Sequence, residues 1–278
     1  MITAPINKII PYSAVDGPGN RTSIFLQGCN IKCAYCHNPE TQNLCCNCGI
    51  CVDVCKTAAL SLVNGKVIWD EKKCIMCDEC INICPHNASP KIKVMTAEEV
   101  MIEVKKNIPL IRGITISGGE CTLYPEFLLE LFTLAKSEGL TCLIDSNGMT
   151  DFTLYPKLLE KCDGIMLDVK AWNFDIYKKL TGLGNDIVKK NLKFLADENK
   201  IEELRIVCAL NEVDAEAVIQ GITKTIGDKA LDTKLKLIKF RPYGVKGKLE
   251  NMQSPDDEYM ENLHQMAIKA GFKKIIIT

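Results

Sequence analysis

GITISGGECTLYPEFLLELFTLAKSEGLTCLIDSNG, residues 113–148, carries one full unit of the architecture. A short β-branched run (113–118) ends in a glycine pair. An amphipathic stretch at helical spacing follows (125–138), and a second apolar run (141–146) closes the unit. Strand, helix, strand at this separation predicts parallel pairing through a right-handed crossover. Working outward, the same alternation continues. Strand-like runs lie at 164–170, 203–210, 234–240 and 273–278, with RTSIFLQG (21–28) as the first strand. Helical spacing recurs near 96–107, 155–161, 186–199, 214–226 and 256–269. The sequence thus reads as α/β with a parallel sheet. In such sheets and barrels the site forms at the carboxyl ends of the strands. The unusual motifs sit there: GCN after the first strand, GGE after the second, DSNG after the third and DVK at the fourth.

Composition removes several classes of function. With 34 basic and 35 acidic residues among 278 the net charge is -1, so no global field favours nucleic acid or an anionic membrane. No apolar run of about 18 residues suggests a membrane span, and the first residues lack the basic-then-apolar pattern of a secretory signal. The expected compartment is the cytoplasm, where clustered thiols are more often metal ligands than disulfides. Only three histidines occur, and the HExxH, GxSxG and GxxxxGK[ST] patterns are missing.

Residues 41–93 interrupt the rhythm and hold nine of the sixteen cysteines. They read as a small domain inserted between residues 1–40 and 94–278, too poor in large apolar groups to supply much core of its own. Cys29, Cys33 and Cys36 lie just before it with the spacing CxxxCxxC and no fourth cysteine at matching distance. Three thiolates on a [4Fe–4S] cubane leave one iron without a protein ligand, as an open position does in catalytic metal sites; a zinc site borrowing a later cysteine is the alternative. Within the insert, Cys45, Cys48, Cys51 and Cys55 spell CxxCxxCxxxC, and Cys74, Cys77, Cys80 and Cys84 repeat it before Pro85. This is the two-cluster ferredoxin run, whose fourth cysteine serves the other cluster. Cys45, Cys48 and Cys51 therefore pair with Cys84, and Cys74, Cys77 and Cys80 with Cys55. Cys46 is left over. Cys121, Cys142, Cys162 and Cys208 read as small buried thiols, with Cys121 set apart by its place directly after GGE.

With Tyr35 before the third cysteine, the loop resembles the CxxxCxΦC signature of the radical S-adenosylmethionine (SAM) enzymes. VDGPGNR (15–21), CHNPE (36–40), SGGE (117–120), DSNG (145–148) and LDVK (167–170) are similar to motifs of the glycyl radical enzyme activating enzymes, and with the insert, PYSAVDGPGNR, VKAW and LTG, to their YjjW type. The resemblance runs over nearly the whole chain. It implies a partial (β/α)6 TIM-like barrel with an inserted two-cluster ferredoxin-like domain. It also implies three [4Fe–4S] clusters, reductive cleavage of SAM to a 5'-deoxyadenosyl radical, and hydrogen abstraction from a glycine of a partner glycyl radical enzyme. Flavodoxin or ferredoxin would donate electrons.

By the same resemblance the chemistry belongs to the cluster of Cys29, Cys33 and Cys36. Tyr35 and His37 would line the adenosine pocket, Gly118, Gly119 and Glu120 would meet the methionine amino group, and Lys170 its carboxylate. Ser146 and Arg205 would also approach SAM, although an end-of-strand arginine paired with Glu202 or Glu203 is the alternative for Arg205. Asp145, Asp168 and the carbonyl of Val169 resemble a monovalent-cation site beside it. Tyr243 stands where relatives carry a histidine near the adenine, and Asp16 and Arg21 are candidate partner contacts. Two other readings remain: a radical SAM enzyme acting on another peptide or small molecule, and an iron-sulfur electron-carrier subunit that would leave GGE and DVK idle.

Overall fold

The computed structural model describes residues 1–278. In chain order the elements are β1 (Thr3–Ser13), β2 (Arg21–Leu26), α1 (Ile50–Asp53), β3 (Leu60–Val63), β4 (Lys66–Trp69), α2 (Glu79–Asn82), β5 (Lys93–Thr96) and α3 (Ala97–Lys105). They continue with β6 (Gly113–Gly118), α4 (Pro125–Ser137), β7 (Thr141–Ser146), α5 (Pro156–Lys161), β8 (Gly164–Asp168) and α6 (Phe174–Thr181). The last are α7 (Asp186–Asp197), β9 (Ile201–Cys208), α8 (Ala215–Ile226), β10 (Lys234–Lys239), α9 (Asp257–Lys269) and β11 (Lys274–Ile277).

Nine strands form one sheet in the order β11-β10-β9-β8-β7-β6-β2-β1-β5. From β2 to β11 the neighbours are all parallel, so every crossover delivers its loop to the same end. The sheet is open, with β11 and β5 at its edges. Where six βα units were expected, there are seven parallel strands, extended by β1, which pairs antiparallel with both β2 and β5. Each predicted helix starts and stops within two residues of its expected bounds. The reasons are local: Thr96 and Glu99 close a capping box on α3, and Pro125 begins α4, a position where its missing N–H costs nothing.

Alternate residues of a strand face opposite sides, and here the two sides differ in chemistry. Ile24, Ile116, Ile144, Ile165, Leu204 and Leu237 are fully buried. They share a core of 55 residues with the inward faces of the helices, such as Val104, Phe132, Leu192, Ile222 and Leu263. The intervening positions mix Phe25, Leu143, Met166, Val207 and Ile238 with Ser23, Thr115, Ser117, Asp145, Asp168, Glu203 and Arg205. A parallel sheet covered on both faces is apolar on both. One face here also carries polar and charged side chains, and the site lies along it.

Residues 41–93 contribute only α1, α2 and a hairpin of β3 and β4. Asn64 and Gly65, both at positive φ, make its two-residue turn. The buried cluster of this segment is Cys51, Leu60 and Cys80. Six of the eight non-glycine residues at positive φ fall here, Ala58, Met76 and Asp78 among them, so the backbone is bent where side chains resist it. The segment is tied to the sheet through Gln27, whose Nε2 donates to the carbonyls of Glu40 and Asn43 at 2.6 Å each. A bridge between Asn43 and Ala88 closes its base.

Candidate active site at the carboxyl ends of the parallel strands

Beyond Leu26 the chain leaves the sheet and forms the loop of Cys29, Cys33 and Cys36. Backbone bonds fix its path: Gly28 N–H donates to Thr41 O and Cys29 N–H to Gln42 O, both at 2.8 Å, while Lys32 and Ala34 donate to Thr181 and Leu180 at the end of α6. Asn147 Nδ2 lies 3.7 Å from Cys29 Sγ. Burial pushes the Cys29 thiol up to about 11 and the Cys33 thiol up to about 12, with Lys170 pulling the other way; Cys36 is raised for the same reason. Buried thiols of this kind ionise only against strong positive charge, which a bound metal centre supplies.

The three thiols open onto a cavity of ≈ 250 Å³. Its walls include Tyr35, His37, Gly118, Gly119, Asp145, Ser146, Asp168, Lys170 and Arg205, so nine of the expected cofactor residues come together. Lys170 Nζ donates to Asp168 Oδ2 at 2.8 Å and lies 5.8 Å from the centre of the Tyr35 ring. Burial opposes the ammonium, but Asp168 and the neighbouring thiol of Cys33 hold its pKa well above the usual lysine value. Arg205 spreads its guanidinium over Asp145 (3.0 Å) and Glu203 (2.6 Å), and Ser117 donates to the other oxygen of Asp145 at 2.9 Å. Both carboxylates of the expected cation site thus already hold a basic side chain. On the cavity wall Asp145 and Asp168 balance Lys170 and Arg205, with Glu203 held by Arg205 outside it.

Glu120 and Val169 do not line this cavity. The Glu120 carboxylate accepts from Thr122 N, Thr122 Oγ1, Ser146 Oγ and Asn147 N. It is spent on joining the loops after β6 and β7, and burial raises its pKa against those bonds. Val169 is buried, its N–H bonded to Arg205 O at 2.9 Å. The glycine pair has a packing reason too: a Cβ on Gly118 would meet Leu26 O at 2.1 Å, and one on Gly119 would meet Gly28 O at 2.2 Å.

Two further expectations change. Tyr243 is 82% exposed and outside the cavity; the aromatic neighbour of His37 is Phe240, with ring centroids 6.1 Å apart. Arg21 is enclosed, donating to Thr115, Pro18, Thr141 and Ile114, and is closed to a partner. Asp16 accepts from Ser13 and Ser23 beside it. Cys121 is fully buried, its thiol near the carbonyls of Ile116 and Asp145, like the buried thiols of Cys142, Cys162 and Cys208. Sequence reasoning missed Gln42, which lines the cavity beside the thiols, and Asn147, although DSNG contained it.

In the segment 41–93 two further cavities form. Cys55, Cys74, Cys77 and Cys80 line one, while Cys45, Cys48, Cys51 and Cys84 line the other, with Cys46 beside them. Cys80 reaches both walls, so the cavities gather the thiols of the two expected crossed sets without separating them fully. A single zinc ion holds thiolates about 3.8 Å apart, given its bond length of about 2.3 Å. Only Cys46, Cys48 and His86 place three donor atoms within 4.8 Å of one another. The Cys29, Cys33 and Cys36 set is more widely spread, a separation that suits a cluster better than one ion.

The sequence profile of the radical SAM superfamily matches residues 23–219. The chain belongs to that superfamily. A radical SAM domain implies one [4Fe–4S] cluster and S-adenosylmethionine as cofactors. The chain is 28% identical to the indoleacetate decarboxylase activating enzyme of Tractidigestivibacter scatoligenes, over 99% of this chain and 98% of that one. It is 29% identical to the (2S)-3-sulfopropanediol dehydratase activating enzyme of Klebsiella oxytoca, over 94% and 92%. Among solved structures, QueE from Escherichia coli shares the fold with a TM-score of 0.55 at 16% identity, covering 99% of this chain and 94% of that one. No helix is long and apolar enough to cross a membrane.

Proposed function

We propose that this protein is a glycyl radical enzyme activating enzyme. Its end-to-end likeness to activating enzymes supports the class, and one observation carries the site. The cavity holds three cysteines and no fourth, and its only histidine, His37, already has Nε2 bonded to Arg241 O at 2.8 Å. A cluster held by Cys29, Cys33 and Cys36 therefore keeps one iron free for SAM. When bound, the pair supplies reductive cleavage of the sulfonium and a carbon radical able to take hydrogen from glycine.

The chain's own residues bind and orient. Lys170, fixed by Asp168, presents its ammonium to the SAM carboxylate. Gly118 and Gly119 offer backbone to the amino group, Tyr35 and His37 wall the adenosine, and Ser146 stands beside them. Arg205 and Asp145 hold each other in place on the floor. A monovalent cation beside SAM would have to share Asp145 and Asp168 with these bases. Excluding water keeps the radical from side reactions.

Residues 41–93 form, in this reading, a two-cluster ferredoxin-like domain inserted between 1–40 and 94–278. Cys45, Cys48, Cys51 and Cys84 hold one cluster, and Cys74, Cys77, Cys80 and Cys55 the other. The pair relays electrons from a cytoplasmic flavodoxin or ferredoxin. The co-lining of the two cavities and the small core of the segment support it.

Anaerobically reconstituted protein with dithionite and SAM should release 5'-deoxyadenosine. Added to its partner enzyme it should generate the glycine-centred doublet in electron paramagnetic resonance (EPR). Release without a doublet on any glycyl radical enzyme would move the assignment to another radical SAM substrate.

A further inference from the structure

Cys46 is the sulfur that the crossed ligand sets leave over, yet it lies on the wall of the cavity that Cys45, Cys48, Cys51 and Cys84 share. Its Sγ, the Sγ of Cys48 and a ring nitrogen of His86 fall within 4.8 Å of one another, the only such group of three in the chain. The backbone holds them there. Asn47, between the two cysteines, sits at φ 61, and its Oδ1 accepts from Val67 N at 3.0 Å. Asn43 Nδ2 donates to His86 O at 2.8 Å. Two sulfurs this close are within bonding reach of one metal atom, given a thiolate bond of about 2.3 Å.

We propose that Cys46 is a reserve ligand for the iron that Cys48 holds, so that this corner of the cluster keeps a protein ligand when Cys48 is displaced from it or replaced. In the exchange the iron–sulfur bond to Cys48 breaks and one to Cys46 forms. The proton of the Cys46 thiol passes to Cys48, so charge and oxidation state are unchanged. The inference rests on the two-cluster reading of residues 41–93.

Iron per chain and EPR of the anaerobically reconstituted full-length protein test it. Wild type, Cys46→Ala and Cys48→Ala should each hold roughly twelve iron, the content of three [4Fe–4S] clusters. The double variant Cys46→Ala/Cys48→Ala should lose one iron, with a three-iron signal after oxidation, or the whole cluster of four. Cys84→Ala, at a corner with no second thiol, should lose iron on its own and reports how the site behaves without a reserve. Loss from Cys48→Ala equal to the double variant would overturn the inference, as would a double variant that keeps all its iron. Wild type with roughly four iron would instead fail the two-cluster reading.

Discussion

The sheet and its helices pack 55 buried side chains into one core, whereas the hydrophobic cluster of residues 41–93 has three buried members, two of them cysteines. The same residue type does opposite work in the two regions. Cys142, Cys162 and Cys208 are sealed among apolar neighbours and behave as small hydrophobes. Cys48 and Cys77 are exposed, and the segment around them bends through left-handed residues that packing alone does not compensate. Burying a large aliphatic or aromatic side chain contributes about 1.5–3 kcal/mol, so the sheet has the core to hold itself together, while the segment, on the proposed two-cluster reading, would draw its stability from metal. Cys29, Cys33 and Cys36 stand between the two cases: half-buried, and opening onto a cavity.

The difference can be broken most sharply at single cysteines. Cys33→Ala should abolish 5'-deoxyadenosine release with dithionite, whereas Cys77→Ala should retain it and lose turnover with a protein electron donor. Identical behaviour of the two variants would remove the division of labour. Next in size is the effect of stripping iron with a chelator. Hydrogen exchange should then run freely through residues 44–90 while amides of β6 and β7 stay protected. Protection of both regions after iron removal would show that the segment does not depend on metal. Smaller still is the contrast between two core substitutions. Phe132→Ala should lower global stability by about 3–5 kcal/mol with or without metal. Leu60→Ala should cost about 2 kcal/mol in the metal-bound protein and nothing in the metal-free one, as denaturant titration would show.

Much of this was legible because the signals are periodic or stoichiometric. Apolar runs marked the parallel strands, and cysteine spacing marked which thiols share a cavity. What escaped reading depends on the third dimension. Pro5 and Pro11 break the pattern of β1, so an eleven-residue strand passed unseen. The helix α6 is only eight residues long, too short for its apolar spacing to stand out, although Asn173 caps its start and Gly182, at positive φ, ends it. Arg21 and Glu120 look like solvent or ligand groups in a string of letters; their burial follows from strands brought alongside long after them. The same holds for Tyr243, whose loop turns outward at Gly244, where a Cβ would meet His37 O at 2.4 Å.

The gentlest probe of the comparison is alkaline pH, because it reads the sealed thiols. Burial pushes Cys142, Cys162 and Cys208 each up to about 12, against about 8.5 for an unfolded cysteine. Between these values the native state keeps protons that the unfolded state has released, and the state that binds more protons loses ground as pH rises. Their contribution is therefore complete below about pH 8.5 and declines from there until the native thiols ionise. Metal-free protein under reducing conditions should show a melting temperature that falls above this point, and Cys208→Ala should flatten the fall. For one group the slope is at most about 1.4 kcal/mol per pH unit. If Cys208→Ala leaves the slope untouched, the sealed thiols are not what the sheet loses in base, and the contrast between hydrophobe and ligand loses its thermodynamic support.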